Sequence, residues 1–123
     1  MEGIDFNKMP LIYWTDEMKL SYLQRVIIIN SIMYYELDDT CMTDREYDII
    51  SKQYIKMAQK AHKDVVRQTD YYYCMYDFDG STGFDLYYRL NEHDKEYLMS
   101  IALMALKNDI SIKSKKKRKR GLF

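Results

Sequence analysis

The chain has 123 residues, with 19 basic and 19 acidic side chains, 47% hydrophobic residues, 13 tyrosines and 9 methionines. That length carries one compact domain, and the apolar content is enough to close a core and too high for a disordered chain. The longest apolar run, residues 98–106, contains Ser100 and falls far short of the ~20 residues needed to cross a bilayer, so no membrane association is expected.

Residues 1–7 carry Glu2 and Asp5 with no basic-then-apolar pattern, which argues against a secretory signal. Two cysteines, Cys41 and Cys74, cannot build a disulfide framework and point to a reducing, cytoplasmic compartment. The first 14 residues read as irregular and end in Leu11-Ile12-Tyr13-Trp14, after the single proline, Pro10. Thr15 then caps a predicted helix, with Asp16 and Glu17 at the positive end of its dipole. Leu23, Val26, Ile27, Met33 and Tyr34 form a helical stripe to about Leu37, interrupted only by Asn30. Residues 38–42 break the periodicity. Thr43 and Glu46 match a capping box, which starts a second helix running to about His62. Residues 15–62 therefore read as a helical hairpin.

Beyond the hairpin, Tyr71-Tyr72-Tyr73-Cys74-Met75-Tyr76 is aromatic enough to predict a strand. Asp79-Gly80-Ser81-Thr82-Gly83 is turn chemistry, and residues 84–90 are the expected return strand. Asn91 caps a last helix to about Lys107, with Leu98, Ile101, Ala102 and Ala105 on its inner face. The fold class expected is mainly α (α+β): a helical hairpin, a small β-hairpin and a C-terminal helix, in a single domain of residues 1–112.

The zero net charge conceals a polarity. Lys113, Lys115, Lys116, Lys117, Arg118, Lys119 and Arg120 fall in the last eleven positions, leaving twelve basic against nineteen acidic residues in 1–112, a net of −7. Residues 113–123 read as a flexible basic tail. Seven phosphate contacts would give a log–log salt slope of about −6 on duplex DNA. A solubilising terminus or an import signal would look the same.

One constellation carries chemistry. Tyr34 and Tyr35 end the first helix, while Asp44, Tyr47 and Asp48 open the second at i, i+3, i+4 spacing and so share a face. A short connection folds the tyrosine pair back toward that face. Aromatic faces attract a flat cation and carboxylates accept from sugar hydroxyls, the parts of nicotinamide mononucleotide (NMN). Stacked tyrosines and capping aspartates are more often core and cap.

The stretch Met33-Tyr34-Tyr35-Glu36-Leu37-Asp38-Asp39, followed by Thr43-Asp44-Arg45-Glu46-Tyr47-Asp48, resembles the N-terminal helical subdomain of bacterial NAD-dependent DNA ligases. That subdomain carries a tyrosine or tyrosine–histidine pair, a short acidic connection and an Asp-x-Glu-Tyr-Asp signature. The resemblance covers roughly residues 22–60. It implies a clamp on the NMN half of NAD, with NMN contacts from Tyr34, Tyr35, Asp44, Tyr47 and Asp48. Where many members have histidine this chain has Tyr35, which keeps the stacking and loses a pH-sensitive hydrogen bond. A ligase also needs the lysine of Lys-x-Asp-Gly as nucleophile; the nearest string is Asp77-Phe78-Asp79-Gly80, and an acid cannot form the phosphoramide. The chain is thus expected to be no enzyme. With Phe78-Asp79-Gly80-Ser81-Thr82-Gly83-Phe84 it resembles small stand-alone ligase-related proteins of bacteriophages and prophages, which implies an accessory in phage DNA replication and repair, in the host cytoplasm.

Other candidates are weaker. His62 and His93 lack ligand-spaced partners for zinc, and Cys41 and Cys74 read as inert thiols. Asp77, Asp79 and Asp85 can hold a cation or simply shape a turn. Tyr71, Tyr72, Tyr73 and Tyr76 can stack bases or pack in a strand. Two alternative functions stand beside nucleotide binding: an interaction protein whose acidic body meets a basic host replication or defence nuclease, and DNA binding through the tail.

Overall fold

Thr15 starts the first long helix as its sequence context predicts. In the computed structural model, which describes residues 3–9 and 13–119 with side chains through Asn108, the Thr15 hydroxyl accepts from the Met18 N–H at 3.2 Å. Helix α1 spans Asp16–Glu36. It is the hub of the fold: α2 (Asp44–Lys60), α3 (Lys63–Arg67), α5 (Leu86–Arg89) and α6 (Glu92–Lys119) all contact it. A helix enclosed this way must be apolar around most of its circumference. Leu20, Leu23, Ile27, Ile28, Ile32 and Met33 are accordingly buried to 2% exposure or less. Each such side chain stabilises the fold by about 1.5–3 kcal/mol. That enclosure outweighs the mild strand preference of Ile27-Ile28-Ile29.

At the C-terminal end of α1, Asp38 takes a left-handed φ of 52°, a conformation aspartate tolerates better than most residues. The reversal lets the Asp39 N–H reach back to the Met33 carbonyl at 3.0 Å and turns the chain toward α2. The predicted capping box is formed: the Thr43 hydroxyl accepts from the Glu46 N–H at 3.1 Å, and Glu46 Oε1 accepts from the Thr43 N–H at 3.0 Å. The hairpin of α1 and α2 is thus present at the expected boundaries.

A buried amide ties the hairpin to the second half of the chain. Gln24, fully buried on α1, donates through Nε2 to the Tyr54 hydroxyl at 3.0 Å and to Thr69 Oγ1 at 2.7 Å, and its Oε1 accepts from the Tyr71 N–H at 2.9 Å. All its polar atoms are satisfied, which makes the network a pin and not a cost. At the N-terminus, Gln53 closes a similar pair with the Ile4 backbone, N–H to Oε1 and Nε2 to carbonyl, both 2.8 Å.

The expected β-hairpin is absent. Residues 71–76 contain helix α4 (Tyr72–Met75), residues 84–90 contain α5, and no strand occurs among the described residues. Burial gives the reason. The buried positions are Tyr71, Cys74 and Met75 in the first segment and Leu86 and Leu90 in the second. Spacings of three and four place them on one side of a helical turn, where a strand would bury alternate residues. The class is all-α. Helix α6 begins after Asn91, whose Oδ1 accepts from the Asp94 N–H at 2.8 Å, as expected. The seven cations of residues 113–120 lie outside the residues whose side chains are described.

Candidate functional site

The last turn of α1, the 38–43 connection and the first turn of α2 enclose a hollow of about 290 Å³. Tyr34, Tyr35, Asp44, Tyr47 and Asp48 all line it. The structure therefore brings together the five positions singled out in the sequence. A third wall comes from the loop of residues 79–83, which contributes Ser81 and holds Tyr35 through a 2.8 Å hydrogen bond between Tyr35 Oη and Thr82 Oγ1. In the sequence that loop read as a turn, with no part in the tyrosine–aspartate constellation.

The tyrosine pair is half exposed, Tyr34 at 51% and Tyr35 at 44%, so neither ring plugs the interior. Their centroids lie 4.8 Å apart at 75°, an edge-to-face pair. Tyr47 is held differently. Ser31 Oγ donates to the Ile27 carbonyl at 2.8 Å, so its lone pair accepts the Tyr47 phenolic proton across 2.9 Å. Burial raises the Tyr47 phenol above its usual range, which keeps it a neutral donor. Gly83 closes the back of this pair. A Cβ there would sit 2.3 Å from Ser31 Oγ and 2.6 Å from Tyr47 Oη, so only glycine admits the approach.

Charge in the hollow has one sign. Asp44 and Asp48 line it, and no lysine or arginine does. Asp48 reaches Lys52 at 2.9 Å one turn along α2, but both are more than half exposed, so the pair is weak and the carboxylate can accept a further donor. Asp44 sits at the first position of α2 and makes no ion pair among the described residues. Asn30, Ser31, Thr40, Met42 and Thr43 complete the lining. Of these, Asn30 had left a trace in the sequence as the polar break in an apolar stripe, and Thr43 as the cap of α2.

The remaining candidates have structural duties. Arg89 is bonded by Asp77, bidentate, and by Asp85 at 2.9 Å. That pairing holds the Asp77 carboxyl below its usual range. Asp79 caps its own turn by accepting from the Ser81 N–H at 3.0 Å. The described residues contain no group of three or more histidine, cysteine or acidic side chains able to hold a metal. His62 caps α3 by accepting from the Asp64 N–H, and His93 is exposed beside Asp94. Cys74 is buried against the Leu86 carbonyl, and burial pushes its thiol up to about 12; Cys41 is exposed. Tyr71 is buried, and Tyr73 donates to Asp94 at 2.5 Å, so the 71–76 aromatics form no sheet for stacking bases. No helix among the described residues is long and apolar enough to cross a membrane. Compared with known proteins, the chain matches no family model, no curated protein and no solved structure.

Proposed function

We propose that the hollow between α1 and α2 binds the nicotinamide riboside half of NMN or NAD, and that the chain is a nucleotide-binding module without ligase chemistry of its own. The observation that carries this reading is the convergence of three tyrosines and two aspartates on one cavity whose lining includes no cation. A pyridinium is drawn to the Tyr34 and Tyr35 rings by their quadrupoles, and ribose hydroxyls donate to Asp44 and Asp48. The phosphate, which finds no basic partner inside, faces the mouth. At about 290 Å³ the space lies at the small end of ligand sites, roughly 300–1,000 Å³, and suits a nucleoside better than a whole dinucleotide.

The ligase-like pattern of residues 33–48 supports the same ligand. The aspartate at the position a ligase needs as lysine supports binding without adenylyl transfer. In this reading the protein serves DNA replication or repair of a phage in the cytoplasm of its bacterial host, and residues 113–123 hold it near DNA. Isothermal titration of the full chain with NMN and with NAD tests the proposal. Heat of binding with NMN, abolished by Tyr47→Ala in a folded sample, is the expected result. No heat at millimolar NMN overturns it.

A further inference from the structure

Asn30 occupies the wall of the hollow one turn before Tyr34 and is only 9% exposed. Its Nδ2 donates to the Val26 carbonyl at 2.8 Å, which fixes the amide with Oδ1 as the remaining group. That oxygen is buried and accepts no hydrogen bond among the described residues. A buried acceptor left empty is costly, and natural structures seldom tolerate one without a purpose. Here the residue that carries the acceptor lines a cavity with two carboxylates and no cation. A ligand group meeting it must donate a proton and must not bring negative charge.

We propose that Asn30 is the specificity residue of this hollow, accepting an N–H from an uncharged primary carboxamide on the ligand and so excluding the corresponding carboxylate. The inference rests on the nicotinamide reading above and goes beyond it by stating which pyridine nucleotide enters. In the amide form, one N–H fills the Asn30 acceptor. In the acid form, two more acceptor oxygens face Asn30 Oδ1, and their charge adds to that of Asp44 and Asp48. A site whose buried polar group is paired by one ligand and left unpaired by its analogue discriminates strongly between them.

Parallel titrations of the full chain with NMN and with nicotinic acid mononucleotide, whose only difference is amide against acid, test this. The wild-type chain is expected to bind NMN more tightly by about tenfold or more. Asn30→Leu, close in size and lacking the acceptor, is expected to lose most of that preference through weaker NMN binding, the charge of Asp44 and Asp48 accounting for what is left. Wild-type affinities already within twofold of each other overturn the role of Asn30 while leaving the nicotinamide reading intact, and they do so without any variant. A folded Asn30→Leu that keeps the full preference overturns it too. Absence of NMN binding in the wild type removes both.

Discussion

Gly83→Ala tests whether the third wall holds the hollow in shape. The added Cβ would lie 2.3 Å from Ser31 Oγ, 2.6 Å from Tyr47 Oη and 2.9 Å from Leu86 Cδ1. None of these neighbours can yield freely. Ser31 Oγ is committed to the Ile27 carbonyl, Tyr47 is bonded to Ser31, and Leu86 is 2% exposed in the core. Overpacking of this kind costs about 1–3 kcal/mol, and displacing Tyr47 from Ser31 adds about 1 kcal/mol for the lost hydrogen bond, so about 2–4 kcal/mol in all. At roughly 4 °C per kcal/mol for a chain of this size, Tm should fall by about 8–16 °C. Thermal melting by circular dichroism reads it. The Ser31→Ala background removes the nearest contact, so Gly83→Ala should cost visibly less there, a coupling measured by the double-mutant cycle. A Gly83→Ala chain that melts within about 1 °C of wild type would show that the loop does not pack on the Ser31–Tyr47 pair.

Three further outcomes are expected. Gln24→Leu leaves the Tyr54 hydroxyl and the Tyr71 N–H without their interior partner, while Thr69 keeps its bond to the Val66 carbonyl; urea unfolding should show a loss of about 2–4 kcal/mol, and a loss under about 0.5 kcal/mol contradicts the network. The Thr43 backbone N–H, and then its hydroxyl, hold the Glu46 carboxyl below its ordinary value of 4.5, so its stabilisation of α2 is complete above that pH and disappears as pH falls through the lower folded value. The Tm difference between wild type and Glu46→Ala should therefore be present at pH 7 and shrink toward pH 3; an equal difference at both speaks against the capping box. A thiol reagent at pH 8 should label exposed Cys41 in the native chain and reach buried Cys74 only in denaturant, and rapid native labelling of both would contradict the packing of α4 on α5.

What could be read from the sequence was local. Thr15 and the Thr43–Glu46 pair set helix starts through contacts three residues long, so the hairpin boundaries follow from short-range chemistry. The tyrosine pair and the i, i+3, i+4 trio were legible for the same reason, since a helix fixes which of its own side chains share a face and a short connection leaves little freedom between the two ends. Residues 71–90 were misread because aromatic richness resembles strand propensity. Their turns are helical because Tyr71, Cys74, Met75, Leu86 and Leu90 must all meet a single core, and propensity yields to burial.

Contacts between distant parts of the chain were decided by the tertiary structure alone. Gln24 is joined to Tyr71 across 47 positions and Tyr35 to Thr82 across the same separation, and no local window contains both partners. Gly83 is required by two side chains from α1 and α2, and the empty Asn30 oxygen acquires meaning only once its residue stands in the wall of the hollow. Helix periodicity fixes neighbours along one segment; which surfaces close on one another depends on how the whole apolar set is buried at once.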